Sequence, residues 1–467
     1  MTNDSTSSSP QKTVSSSPQK TVDMADMKLG PRQIFIMAVA SLGQFIGQGL
    51  ATLIGIVIPL IQLVAHPELT PGIQGLMGCI SLIGIMVGTV VFGRLSDRFG
   101  YIFFFRLCPL IIVATSLVCV FIHAVPVLLV CLFLMGFAIG GEYSLDPDYI
   151  SELMPAKWRT FMVGLAKALA SAGSAFVAII CYFMITETKD PAIWPDLFYI
   201  TGGIAAVMFI SRLWFAQSPQ WLMSHGRAAE AQKAVEHFLG ADVRMISDVA
   251  AATSSKPQAK PESMGAFIKE HLRKIILTGV PWACEGLGVY GIGIFLPVLI
   301  MSFKIDSLPA TAPEIEHITH SVGLTFVLCI VMMLGFGLGL YLLKKESHIR
   351  MQVVGFWGSA AGLGLLMAAY LCHWPSWVAI AGFVIFELFL NAGPHLITFI
   401  LPSQVYEIEN RGTGTGIAAG IGKAGAVAGA FIIPVLLKSG GPTTVMIVSI
   451  AVMAAGALIT SIAAKRI

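Results

Sequence analysis

Glu142, Asp146, Asp148 and Glu152 fall within eleven residues at the end of an otherwise apolar run, VPVLLVCLFLMGFAIG (residues 125–140). Glu142 and Asp146 are four apart, which on a helix puts them on one face, a turn from each other. Two carboxylates so placed in a low dielectric repel each other, and burial further disfavours ionising both. One member of such a pair can hold a proton near neutral pH, which is the chemistry of proton coupling. The competing arrangement puts Asp146, Asp148 and Glu152 at the headgroup level, paired with Lys157 and Arg159. Asp148 and Glu152 fit that arrangement better, Glu142 lies deeper and fits proton handling, and Asp146 fits either.

Other polar groups sit in apolar surroundings with helical spacing. Gln44, Gln48 and Thr52 recur every fourth residue and form one stripe. Glu387, Asn391 and His395 repeat that spacing, with Pro394 expected to distort the helix there. Trp282, Glu285 and Tyr290 lie in the glycine-rich segment PWACEGLGVYGIGIF, which is expected to bend. Lys167 and Lys423 add positive charge. A charge inside a spanning helix costs about 2.5–3.5 kcal/mol on insertion scales, so such groups face a cavity or a partner. Lys167, Lys423, Glu387 and His395 could therefore serve a central site or simply tie helices together.

The elements that must position these residues follow from composition. The chain has 467 residues, of which 56% are hydrophobic and 12% charged. Soluble domains carry roughly 25% charged residues, so a soluble enzyme is excluded. Apolar runs long enough to cross a bilayer as helices lie near 34–63, 72–92, 102–122, 125–148, 161–185 and 197–216. After a polar stretch they resume near 274–301, 321–343, 351–371, 375–399, 413–437 and 441–463. Hydrophobicity is continuous rather than alternating, which selects helices over a barrel.

With both termini and residues 217–273 on one side, that side holds all but Lys189, Lys304 and Lys438 of the 29 Lys and Arg residues. The positive-inside rule makes it the cytoplasmic side. The net charge of +3 then reflects topology and implies no nucleic-acid partner. The eight cysteines lack metal-ligand spacing and read as small apolar packing residues, with neither disulfide nor metal expected.

Residues 7–14, SSSPQKTV, are repeated as residues 15–22 in a Ser/Pro-rich tail with little to bury. Residues 1–30 are expected to be a disordered cytoplasmic tail rather than a signal peptide. AAEAQKAVEHFLG in the 217–273 linker has helical spacing and should form short helices on the cytoplasmic face. Shifting the sequence by 252 lays SELMPAKWRTFMVGLAKALASAG (151–173) on SQVYEIENRGTGTGIAAGIGKAG (403–425). Ser151/Ser403, Arg159/Arg411, Gly164/Gly416, Ala166/Ala418, Ala172/Ala424 and Gly173/Gly425 coincide. Each Arg precedes a helix of small residues at the same place in its half, which indicates an internal duplication.

Three stretches carry a family resemblance. GRLSDRFGYIFFF (93–105) resembles the G-x-L-x-D-R-x-G loop between the second and third helices of the major facilitator superfamily, through Gly93, Leu95, Asp97, Arg98 and Gly100. SPQWLMSHGRAAEA (218–231) is similar to the segment after helix six in sugar and metabolite porters. YEIENRGTGTGIAAGIGKAGA (406–426) resembles the R-G-T-G-x-G motif leading into helix eleven. Within the superfamily the chain most resembles proton-linked metabolite and phosphate symporters. Gly140, Gly141, Glu142, Tyr143, Leu145, Ser151 and Glu152 follow their helix-four motif. Trp282 and Tyr290 match a helix-seven pattern whose acid falls at Gly286, one residue after Glu285. Asn391 and Lys423 match motifs in helices ten and eleven, whereas His395 stands where that branch has Asn. The aspartates common in helix one are replaced by Gln44, Gly47, Gln48 and Leu50.

The resemblance implies an all-α membrane protein of twelve transmembrane helices in two six-helix pseudo-symmetric bundles, the major facilitator fold. The bundles would be 31–216 and 274–467, joined by the 217–273 linker. It implies proton coupling at Glu142, Asp146 and Glu285, with a substrate site of Gln44, Gln48, Tyr143, Trp282, Tyr290, Asn391, His395 and Lys423. It further implies a cytoplasmic gate of Gly93, Asp97, Arg98, Gly100, Glu152, Arg159 and Arg411.

The resulting expectation is a proton-coupled symporter for a sugar, polyol, sugar acid or other organic anion. It would be a monomer in a bacterial inner membrane, with no cofactor, metal or enzymatic activity. A proton-antiport exporter and a non-transporting nutrient sensor are the alternatives. No nucleotide-binding loop is present to drive a pump.

Overall fold

The computed structural model describes residues 22–23, 28–64, 69–155, 157–240, 243–244, 264–305, 308–309, 311–406 and 411–465. Among them are eleven apolar helical stretches long enough to cross a bilayer. The last lies within Arg411–Ala464 and is two spans meeting at Gly441, whose φ of 68° and ψ of −174° interrupt the helix just before Pro442. Only glycine adopts that backbone readily, so the connection can be this short. The result is twelve spans.

Local chemistry explains the ends and bends. The second span, Pro71–Phe99, starts with Pro71 at its first position, and Thr70 Oγ1 accepts from Ile73 N at 3.4 Å. The first span breaks at Ser41 into Pro31–Ala40 and Leu42–Val64. The seventh runs Met264–Gly286, widens to a π-helical turn over Leu287–Ile292 and resumes over Leu296–Ser302. It starts at Met264 rather than near 274 because its first turns carry Lys269, Glu270, Arg273 and Lys274, which hide it from hydropathy. Phe267 and Ile275 on the other face bury against Tyr406.

Val22–Asp23 pairs in parallel with Val243–Arg244 of the linker. The SSSPQKTV repeat lies outside the described residues except for Val22. In the linker, Ala228–Leu239 buries Ala231, Ala234, Val235 and Phe238. Phe238 closes an aromatic cluster with Tyr149 and Phe215, seating this helix on the end of the bundle.

Small residues let the helices approach closely. A Cβ on Gly88 would lie 2.0 Å from Phe137 O, and one on Gly136 would lie 2.0 Å from Ser81 O, so the second and fourth spans touch backbone to backbone. The duplicated pair behaves alike in both halves. A Cβ on Gly173 would meet Phe45 O at 2.0 Å, and one on Gly425 would meet Ala283 O at 2.2 Å. Each therefore packs the fifth helix of its half on the first.

The halves meet along the fifth and eighth spans and along the second and eleventh. On the side away from the termini the contact is tight. An added Cβ would lie 1.7 Å from Ile294 O at Gly55, 2.4 Å from Phe431 O at Gly75 and 2.8 Å from the Phe295 ring at Gly78. Following the same helix faces toward the termini, Met86, Val90, Gly416 and Gly420 are exposed. On that side the second and eleventh spans part, while Lys344 over Phe161 at 5.7 Å still links the eighth span to the fifth. The molecule is closed at one end and partly open at the other.

This contact yields a prediction. Gly55→Ala cannot keep the Ile294 carbonyl where it is, so the closed end should loosen. Hydrogen exchange read by mass spectrometry should show faster exchange at the far ends of the first and seventh spans. Unchanged protection there would show that Gly55 does not hold the closure.

Candidate functional site

The fourth span, Val125–Leu153, carries both acids into the first bundle. Glu142 and Asp146 are buried, at 0% and 1% exposure. Their partner is Arg212, at the end of the sixth span (Phe198–Arg212) and itself 0% exposed. Arg212 Nη1 lies 2.5 Å from Glu142 Oε2, and Arg212 Nη2 lies 3.3 Å from Asp146 Oδ1. The guanidinium also donates to Ala40 O at 3.3 Å and sits over the Phe105 ring at 4.5 Å. Both acids turn toward Gly43, where an added Cβ would come within 2.5 Å of Asp146 Oδ2 and 2.7 Å of Glu142 Oε2. Among the described residues, Glu142 Oε1 and Asp146 Oδ2 have no hydrogen-bond partner.

Asp146 is thus a buried member of the acid pair and does not reach the headgroups. Arg212 is the residue that sequence reasoning missed, because it was counted with the cationic residues that set topology. Its signal was present in FISRLWF (209–215), an Arg with bulky apolar residues on both sides. The side chains of Asp148 and Glu152 lie outside the described residues.

A second polar group lies between the halves. Tyr143 follows Glu142 in the chain and leaves the helix about 100° round from it, on a different face. Its OH is 3.5 Å from that of Tyr290 in the second half, and Lys423 Nζ donates to Tyr290 OH at 3.3 Å. Lys423 Nζ is 4.7 Å from the ring centre of Tyr143 and 4.7 Å from that of Tyr290, and Lys167 Nζ is 5.1 Å from that of Tyr143. These are cation–π distances.

The tenth span breaks at Gly393, as Pro394 foretold, into Ser376–Ala392 and Pro394–Val405. Its polar stripe bridges the break. Asn391 Nδ2 donates to Glu387 Oε2 at 2.9 Å, and Asn391 Oδ1 lies 2.9 Å from His395 Nδ1. His395 Nε2 is 3.7 Å from Glu285 Oε1. Glu285 therefore belongs to this central group and not to the acid–arginine cluster. Trp282 packs against Gly422 and meets the Phe399 ring edge-on at 6.3 Å.

A cavity of about 30 Å³ opens beside this group, lined in part by Gln48, Thr52, Ser174, Thr325, Glu387 and Asn391. That volume holds one or two waters and no metabolite, so a bound solute requires the helices to move. Ser174 and Thr325 were not picked out from sequence, since a lone hydroxyl in an apolar helix often bonds its own backbone. Gln44 is buried but does not line the cavity.

At the proposed gate, Gly100 has φ of 85°, and a Cβ there would strike the Gln217 amide at 1.8 Å. Gln217 Oε1 accepts from Tyr101 N at 2.9 Å and Ile102 N at 3.2 Å, tying this loop to the end of the sixth span. Gly93 lies near Ser144. Arg98 is exposed and stacks on Phe99 at 5.3 Å, and Arg159 is half-buried. The side chains of Asp97 and Arg411 lie outside the described residues.

Twelve helices in two pseudo-symmetric bundles, with buried charge within one bundle and between the two, define a membrane transporter of the major facilitator fold. The family model for sugar (and other) transporters matches residues 5–465, and the chain belongs to that family. It is 25% identical over 401 residues to the inner membrane metabolite transport protein YgcS of Escherichia coli (strain K12), covering 86% of this chain and 84% of that protein. It is 26% identical over 395 residues to the inorganic phosphate transporter PT2 of Toxoplasma gondii, covering 82% and 62%. Its fold matches the partially occluded inward open conformation of the E. coli xylose transporter XylE. The TM-score is 0.75 at 18% identity, covering 92% of this chain and 97% of that one.

Proposed function

We propose that this protein is a proton-coupled symporter that carries a small polar metabolite by alternating access, with Glu142 and Asp146 holding the proton and Arg212 as their counter-ion. The observation that carries the reading is the buried cluster itself. Two carboxylates and one guanidinium in a site shut from solvent carry one negative charge too many. One shared proton balances the charge and gives the unpartnered carboxylate oxygens a hydrogen bond.

Coupling follows from the fourth helix. Glu142 faces the cluster while Tyr143 reaches Tyr290 of the other half, so motion of one bundle against the other shifts the helix that holds the acids. Gln44, Gln48, Tyr143, Trp282, Tyr290, Asn391, His395 and Lys423 are the proposed substrate contacts, with Glu285 able to exchange charge with His395. Gly93, Asp97, Arg98, Gly100, Glu152, Arg159 and Arg411 form the proposed gate at the open end.

The distribution of Lys and Arg supports a cytoplasmic location for the termini, which makes this form inward-facing. The inner-membrane location of the E. coli relative supports a bacterial inner membrane, where the chain would work as a monomer.

The test uses proteoliposomes with a trapped pH dye, challenged with pooled sugars and then pooled organic anions. Luminal acidification on adding one pool is the expected result. Alkalinisation would make the protein an antiporter. Entry of a labelled pool with no proton movement would make it a uniporter or exchanger.

A further inference from the structure

We propose that Lys167 and Lys423 form a two-sided carboxylate clamp and that the transported solute is a polyhydroxy carboxylate of the sugar-acid class. This inference rests on the transport reading and names its substrate. Lys167 lies on the fifth span of the first half, Lys423 on the eleventh span of the second, and both ammoniums approach the Tyr143 ring.

Lys167 is only 7% exposed. Among the described residues neither lysine has a carboxylate within the 4.0 Å of an ion pair. Glu387 is engaged with Asn391, and Glu285, 3.7 Å from His395 with no hydrogen bond to that oxygen, is the single carboxylate acting on both lysines, so one positive charge is left over. A buried cation without a paired anion is costly, so the geometry points to a counter-charge supplied by the solute.

The rest of the space sets the remainder of the solute. The cavity beside the central group presents Gln48, Thr52, Ser174, Thr325 and Asn391. Amides and hydroxyls both donate and accept, which suits a chain of hydroxyl groups and not a bare inorganic anion. A carboxylate held between lysines of opposite halves would also draw the bundles together, so the solute's charge would drive closure.

The experiment measures binding to the purified full-length protein in detergent by isothermal titration and thermal shift, with D-gluconate, D-glucose and inorganic phosphate as probes. Gluconate should bind and glucose should not at equal concentration. Lys167→Gln and Lys423→Gln should each weaken gluconate by roughly tenfold to a hundredfold, the worth of one charge-assisted hydrogen bond. Without ligand, both variants should melt no lower than the parent, since losing either buried Lys167 or half-buried Lys423 relieves the surplus positive charge of the group. A lysine with a purely structural role would instead lower the melting temperature.

Equal binding of glucose and gluconate, or phosphate binding without gluconate binding, would overturn the proposal. So would gluconate binding that is indifferent to both lysines. The proton assay separates the two readings. Lysine-dependent gluconate binding without proton movement keeps the clamp and sinks symport. Proton uptake driven by glucose alone keeps symport and sinks the clamp.

Discussion

Glu142→Gln is expected to abolish proton-driven accumulation while leaving exchange of substrate across the membrane intact. An inside-alkaline gradient of one pH unit supplies about 1.36 kcal/mol per proton, enough for a one-proton symporter to concentrate its substrate about tenfold. The variant should equilibrate and go no further, because glutamine keeps the shape beside Arg212 but cannot take up a proton. Counterflow into preloaded liposomes should persist, since the bundles can still rock with a permanently neutral group at that position. Accumulation unchanged in Glu142→Gln would remove Glu142 from the proton path. The same experiment on Asp146→Asn and Glu285→Gln would then find the carrier.

Arg212→Met should be the most damaging single change to stability in the first bundle. Arg212 is fully buried against two carboxylates, so its removal leaves uncompensated negative charge in a dry site. Breaking such a pair from one side costs about 3–5 kcal/mol, read here as a lower melting temperature in detergent. Adding Glu142→Gln and Asp146→Asn to Arg212→Met should restore most of the loss, since no net charge is then left behind. A triple variant as unstable as the sum of the single ones would show that Arg212 matters through its packing on Phe105 and its bond to Ala40 rather than through charge.

Lengthwise patterns along the chain fixed much of this reading. Continuous apolar runs set the number of spans, and the spacing of Glu142 and Asp146 put two acids on one face. The Gly173/Gly425 register marked a repeat, whose two glycines indeed make equivalent contacts in each half. Pro394 announced the break that Asn391 and His395 bridge. Each of these depends only on neighbours within a turn or two, or on a spacing that duplication preserved.

Tertiary structure decided what those residues meet. Arg212 stands 66 positions after Asp146 and reaches it only because the sixth helix, packed on the third and first, ends with its guanidinium at the acids of the fourth. Lys167 and Lys423 converge on one tyrosine from different halves, and no pattern within either half reports that meeting. The closed end depends on backbone contacts at Gly55, Gly75 and Gly78, where the partner is another helix's carbonyl or ring. Hydropathy tells which residues leave water and spacing tells which share a face. The rotation and crossing of each helix come from small-residue packing, and these alone determine whether a buried charge finds a counter-ion, a solute or a proton.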